Sequence, residues 1–194
     1  MQPSPGWYPQ PFPPDGGITA EGLRNQLGRP SLGLLTVLAR ETAQNSWDAR
    51  SSAQVDFTLT LGKVSPGHMH AWRSMFRLGM PKVADEYFPL RKVLSSPSIT
   101  CLTISDRGTV GLNGPTRSDH AAESGHRNWL SFVLNSGEAR DKDGGGGTYG
   151  YGKGVFFLVS RVGSVIIYTR FQDGDGYRSR LIGSVLWREF TSEK

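Results

Sequence analysis

Three stretches of this 194-residue chain carry side chains whose types and spacing can do chemistry. The first is Glu41-Thr-Ala-Gln-Asn45-Ser-Trp-Asp48-Ala49. On a helix, positions i, i+4 and i+7 share a face, so Glu41, Asn45 and Asp48 point the same way. Acids near a helix C-terminus oppose the macrodipole by roughly a few tenths of a kcal/mol each, and a bound cation compensates for that. Magnesium takes oxygen ligands and keeps several waters, so the Asn45 amide oxygen together with ligand phosphates suits it. Glu41, one turn earlier, is placed to orient and deprotonate a water. A solvated helix face accounts for the same spacing.

The second stretch is Ile99-Thr-Cys-Leu-Thr-Ile-Ser-Asp106-Arg-Gly108-Thr-Val-Gly111. It sets a carboxylate where a buried strand ends. Such an acid accepts from the exocyclic amine of a purine, and a glycine two residues on lets the ring come close. An ordinary Asp-x-Gly turn is the plain alternative. The third stretch, Asp143-Gly-Gly-Gly-Gly-Thr-Tyr-Gly150-Tyr-Gly152-Lys153-Gly154, opens an apolar run, Val155 to Val159. A glycine loop entering a helix converges backbone N–H groups on an anion, and Lys153 adds a positive charge beside a phosphate. A flexible linker is the alternative. The pattern is not a Walker loop, because Gly154 stands where Ser or Thr is required. No strand leads directly into the glycines, which excludes the dinucleotide-binding fingerprint.

The elements that must position these residues are readable from periodicity. Residues 1–16 are proline- and glycine-rich and read as a flexible arm, the rest (17–194) as one domain. Short helical patterns cover Thr19–Leu27, His68–Leu78, Phe88–Leu94 and Asn128–Leu134. A longer helix, Ser31–Ala49, carries the first stretch, and another, Gly152–Ser160, follows the glycine loop. Val55, Phe57, Leu59 and Leu61 alternate on one side of a strand, and Ile99–Ser105 reads as a central strand. Ser164–Phe171 and Arg180–Trp187 form a strand pair joined by Asp173-Gly-Asp-Gly176, a hairpin signal. Helices alternating with a few strands point to an α/β two-layer sandwich.

Composition sets the frame. With 37% hydrophobic and 20% charged residues the chain can bury a core. The formal charge of +5 suits anionic partners, nucleic acid included, but is common in proteins that touch neither nucleotide nor nucleic acid. A lone cysteine, Cys101, excludes a disulfide framework within the chain, reads as a small core residue, and favours a reducing, cytoplasmic setting. No apolar run approaches the roughly 20 residues of a membrane helix. The histidines His68, His70, His120 and His126 lack the cysteine spacing of a zinc site. Trp47 falls on another helix face, where core packing is expected, and Arg107 reads as a surface charge.

Taken in order, the three stretches resemble the boxes of the GHKL ATPase superfamily, which includes gyrase-type topoisomerases, ninety-kDa chaperones, mismatch-repair and microrchidia ATPases and histidine kinases. Glu41-x-x-x-Asn45-x-x-Asp48-Ala49 is similar to the first box, Asp106-x-Gly108 to the second and Gly147-Thr-Tyr-Gly150-Tyr-Gly152 to the third, over residues 31–190. The resemblance implies a Bergerat fold, a sandwich of a mixed β-sheet and helices, with ATP held under a mobile lid at residues 113–147. It implies Glu41 as general base, Asn45 as magnesium ligand and Asp48 in the polar network near base and nucleotide. Asp106 would read the adenine amine, with Gly108 close to the base. Gly150, Gly152, Lys153 and Gly154 would meet the phosphates.

Three departures qualify the pattern. Asp-Arg-Gly-Thr-Val-Gly is one residue longer than the common second box, which leaves Gly111 to do the second glycine's work. Thr109 to Pro115 is more similar to a prokaryotic subgroup of ATP-binding proteins than to gyrase. The Gly-Thr that usually opens a late strand beside the adenine has only Thr169 as a weak counterpart. Lys194 follows soon after the last hairpin, so the expectation is the N-terminal part of a longer protein. The expected function is a nucleotide-driven switch that binds ATP with magnesium and hydrolyses it, with homodimerisation on ATP binding and an effector or partner protein left open. A phosphotransferase of the histidine-kinase or anti-sigma-kinase type, or a non-hydrolysing nucleotide sensor, stays open as the alternative.

Overall fold

A computed structural model describes residues 6–11, 33–78, 80–82, 89–117, 119–120, 126–134, 151–188 and 190–191. Among these the chain is an α/β arrangement of helices and two small antiparallel sheets. The order is α1 (Leu34–Asp48), β1 (Asp56–Lys63), α2 (Pro66–Arg77), α3 (Leu90–Ser95), β2 (Thr100–Arg107), a π-helical turn (Leu130–Leu134), α4 (Tyr151–Val159), β3 (Ser164–Asp173) and β4 (Gly176–Val185). The expected Thr19–Leu27 helix lies outside the described residues.

The helix α1 begins after Gly33, with no side-chain cap, and ends where the Ala49 N–H bonds the Asn45 carbonyl. Its buried residues are Leu38, Thr42 and Ser46, one every turn. The two hydroxyls are satisfied locally: Thr42 donates to the Leu38 carbonyl at 2.7 Å and Ser46 can donate to the Thr42 carbonyl at 3.0 Å. This stripe packs α1 against α4. Pro66 opens α2 at a position where a missing N–H costs nothing, and Arg77 in its last turn suits the helix dipole.

The strands β1 and β2 pair antiparallel, with Phe57 opposite Asp106, Leu59 opposite Ile104 and Leu61 opposite Leu102. Directly opposed residues share a face, so the expected apolar side of β1 is present. Its burial fades along the strand: Phe57 is half-buried, while Leu59 and Leu61 are exposed. Among the described residues β2 pairs with β1 alone, where its apolar run suggests a central strand with two neighbours. The mixed sheet expected from the resemblance is represented by two separate antiparallel pairs.

The β3–β4 hairpin turns through Gly174-Asp175, with Asp173 opposite Gly176. Gly174 takes a φ of 59° and Asp175 does not take a positive one, the pattern of a type II′ turn, which matches strand twist. Thr169 and Phe171 are buried on its inner face, Tyr168 and Tyr177 exposed on the outer one.

Two interiors result. One gathers Met69, Leu90, Leu94 and Ile99 beneath α2 and α3, with Cys101 and Trp187 packed against them. Burial raises the Cys101 thiol above its ordinary pKa, in keeping with a core cysteine. Trp7, from the N-terminal arm, joins this interior in cis: its indole N–H donates to the Phe76 carbonyl at 2.7 Å and its ring lies 5.6 Å from that of Trp187. The other buried apolar side chains, Leu38, Trp129, Leu130, Val155 and Phe171, lie on α1, the π-helical turn, α4 and β3; α4 contacts both α1 and β3, and Trp129 and Phe171 meet at Arg180. The expected Asn128–Leu134 helix contributes Trp129 and Leu130 there, through a short helical turn that widens to π geometry.

Candidate functional site

The end of α1 and the end of β2 are stitched together. The Val110 N–H donates to the Ala49 carbonyl at 2.9 Å, and the Ser51 N–H donates to the Gly108 carbonyl at 2.8 Å. An isolated antiparallel bridge links Arg50 with Thr109. Backbone bonds alone therefore bring the first stretch of chemistry-bearing residues beside the second.

Side chains complete the join at Asp106. Ser46 donates to Asp106 Oδ2 at 2.7 Å and Thr109 donates to Asp106 Oδ1 at 3.0 Å. A serine hydroxyl has one proton, so the Ser46 bond to its carboxylate competes with its bond to the Thr42 carbonyl. The charged acceptor makes the stronger bond, a net gain of about 1.5–3 kcal/mol for such pairs. An ionised carboxylate offers about four lone-pair sites, so two hydroxyls leave Asp106, which is exposed, with acceptor capacity to spare.

The glycines of the second stretch are required by backbone geometry. Gly108 has a φ of 81°, and a Cβ there would collide with the Gln54 carbonyl oxygen. Gly111 has a φ of 68°, and a Cβ would sit 2.6 Å from the Arg170 carbonyl oxygen and 3.1 Å from the Thr169 hydroxyl. Both positions are left-handed and closely approached, a combination only glycine tolerates. The close approach is to the chain's own backbone in both cases.

Thr169 arrives at this corner from β3. It is buried, at 7% exposure, and its hydroxyl accepts the Leu112 N–H at 2.9 Å. The residue opposite it on β4 is Arg180, whose guanidinium donates to the Leu112 carbonyl at 3.3 Å and the Gly114 carbonyl at 2.7 Å.

The residues singled out in the sequence are placed unevenly. Glu41 and Asn45 lie half-buried along one flank of the Leu38–Thr42–Ser46 stripe, and among the described residues neither side chain has a hydrogen-bond partner. Asp48 is exposed and accepts from the Gln44 amide at 2.9 Å, so Ser46, and not Asp48, is the α1 side chain that meets Asp106. Gly152 and Lys153 fall in the first turn of α4, and Gly154 is buried there. The loop through Gly150 and the side chain of Lys153 lie outside the described residues. Trp47 is corrected: it is 51% exposed, with the Arg50 guanidinium 4.5 Å from its ring, because the helix face it shares with Arg40, Ala43 and Gln44 is exposed.

An open groove of about 460 Å³ runs between α1 and β1, lined by Ala43, Gln44, Ser46, Trp47, Val55 and Phe57 among others. Neither Glu41 nor Asn45 lines it. By helical spacing it belongs to a different flank of α1 from those two residues. Among the described residues no group of three or more His, Cys, Asp or Glu side chains gathers to hold a metal. A cation at Asn45 would therefore complete its shell with ligand oxygens and water.

Sequence reasoning missed Ser46, Thr109 and Arg180. Ser46 had a signal, since it continues the Leu38–Thr42 stripe by one more turn and a hydroxyl on an inward stripe needs a reason. Arg180 also had one, standing on the same strand face as Ile182, which is half-buried.

No protein-family model, curated protein or solved structure matches the chain.

Proposed function

We propose that the chain binds ATP with magnesium in a Bergerat-type site at the junction of α1, the end of β2 and the glycine corner after it. The observation that carries this reading is the Ser46–Asp106 hydrogen bond, 2.7 Å long between residues 60 apart in sequence. It sets the helix of Glu41 and Asn45 beside a carboxylate with free acceptor sites, the two halves that a purine triphosphate requires. In this reading Asp106 accepts from the adenine amine and Thr169 supplies the hydroxyl that the late strand otherwise lacks. Asn45 holds magnesium through its amide oxygen, and its lack of a partner among the described residues suits that role. Magnesium, when bound, neutralises phosphate charge.

Glu41 orients and deprotonates the attacking water. Gly150, Gly152, Lys153 and Gly154, at the entrance to α4, meet the phosphates, helped by the packing of α4 on α1. The lid of this reading falls within residues 113–147, of which Trp129 and Leu130 stay in the interior, and nucleotide-driven closure with homodimerisation is the switch.

Thermal unfolding with and without Mg-ATP tests the proposal. A ligand that binds only the folded state adds about 2.7 kcal/mol at a hundredfold excess over its Kd. The wild type should show a raised melting temperature and Asp106→Asn should not. No shift at millimolar Mg-ATP would sink the proposal. Glu41→Ala should keep the shift and lose phosphate release. A wild type that binds but releases no phosphate would be a nucleotide sensor, and turnover unchanged in Glu41→Ala would remove Glu41 from its role.

A further inference from the structure

The turn that leaves Asp106 is gripped from outside the motif. Leu112 is held at both ends of its backbone by one cross-strand pair: its N–H by the Thr169 hydroxyl and its carbonyl by Arg180. The same guanidinium forks onto the Gly114 carbonyl. The guanidinium carbon also lies over two rings, 4.5 Å from the centre of Phe171 and 5.2 Å from that of Trp129. Trp129 is tied to the same turn, since its N–H donates to the Asn113 carbonyl at 2.8 Å and the neighbouring Asn128 amide donates to the Asn113 side chain at 2.9 Å.

Among the described residues no carboxylate forms an ion pair with Arg180, so its fork is spent on backbone carbonyls. Partial burial of this cation costs desolvation, which lowers its pKa, and charge-assisted bonds together with ring contacts offset the cost. Arginine suits this place and lysine does not, because a planar fork can bond two carbonyls at once while its carbon stays over the rings. From Leu112 the constraint runs back through Gly111, packed on the Arg170 carbonyl, to Thr109, which bonds Asp106.

We propose that Arg180 is a positioning residue for base recognition: it fixes the Gly111–Gly114 turn and thereby the orientation of Asp106, without touching the ligand. This rests on the nucleotide-site reading above and adds to it the device that sets selectivity for the base.

The test compares two probes, Mg-ATP and Mg-tripolyphosphate, binding to wild type and to Arg180→Lys, with melting temperature as the check on folding. Arg180→Lys should bind Mg-ATP about tenfold more weakly, the worth of the one charge-assisted bond that a misaligned Asp106 would lose to the adenine amine. Its affinity for Mg-tripolyphosphate, which has no base, should be unchanged. A merely structural role would lower the melting temperature and leave the ratio of the two affinities where it was, and that result overturns the proposal. Should Arg180→Lys fail to fold, Trp129→Phe thins one ring wall and should lower the same ratio by less, whereas a wild-type ratio in that variant overturns the proposal. If wild type binds neither probe, the nucleotide-site reading falls and takes this one with it. If wild type binds Mg-ATP and the ratio does not move, the assignment of Arg180 alone is overturned.

Discussion

The interior under α2 and α3 and the interior around α1 and β3 are built on different principles. The first rests on Met69, Leu90, Leu94 and Ile99, side chains that exclude water and do little else. The second also buries Leu38, Leu130, Val155 and Phe171, yet it contains Thr42, Ser46 and Thr169, the buried polar side chains among the described residues. Each hydroxyl in the second is committed to a named partner: the Leu38 carbonyl, Asp106, the Leu112 N–H. Apolar contact is non-directional and fixes volume, whereas a hydrogen bond fixes an atom. The difference teaches where position matters in this chain. Near Asp106 and Gly111 directional bonds fix individual atoms, and the proposed site relies on that.

Stability and binding should separate along that line. The largest expected effect on stability is in the apolar interior. Leu94, at 1% exposure, should cost about 2–5 kcal/mol when cut to alanine. Denaturant unfolding of Leu94→Ala checks this, and nucleotide affinity at a temperature where the variant is folded should match wild type. A large loss of affinity there would mean the two interiors are not independent.

Ser46→Ala comes next. It removes one bond to a carboxylate, about 1.5–3 kcal/mol by the usual net value, discounted toward the lower end because Asp106 is exposed. Its signature is the reverse of that of Leu94→Ala: a modest loss of stability with a distinct loss of Mg-ATP affinity. Calorimetric titration reads the second. Equal affinities would leave the Ser46–Asp106 bond as a structural tie only.

The smallest effect is expected at Asp119, in neither interior. Its carboxyl is held down at about 2 by the hydrogen bond from Arg117, both groups being exposed. A depressed folded-state pKa contributes stability above the unfolded value of ~4, lost as pH falls through about 2. Screening at so open a site leaves the change in unfolding midpoint near zero. NMR titration should show the low midpoint directly, and Arg117→Ala should return it to the ordinary carboxylate range.

The helices and the hairpin were legible because their signals are local. Leu34–Asp48, Pro66–Arg77, Tyr151–Val159 and the Gly174-Asp175 turn fall within a few residues of where periodicity and turn chemistry put them. The partnering of strands is not local, and Ile99–Ser105 showed an apolar run without showing how many neighbours it pairs with. The candidate site shows only some of its residues in the sequence. Glu41, Asn45 and Asp106 stand out by charge and spacing. Ser46, Thr109 and Arg180 do not, since a hydroxyl or an arginine becomes informative only when its partner, distant in sequence for Ser46 and Arg180, is known. Trp47 was misread because helical spacing tells which residues share a face and not which face the fold covers.

In the proposed site Asp106, held by Ser46, reads the amine of an adenine base. Calorimetric titration of wild type with Mg-ATP and with the magnesium complex of purine riboside triphosphate, which lacks that amine, tests it most directly. The account predicts that wild type prefers ATP by about tenfold or more, the worth of a hydrogen bond to a charged acceptor, and that Asp106→Asn loses the preference. Equal affinity of wild type for the two nucleotides, or no heat with Mg-ATP at all, would contradict it.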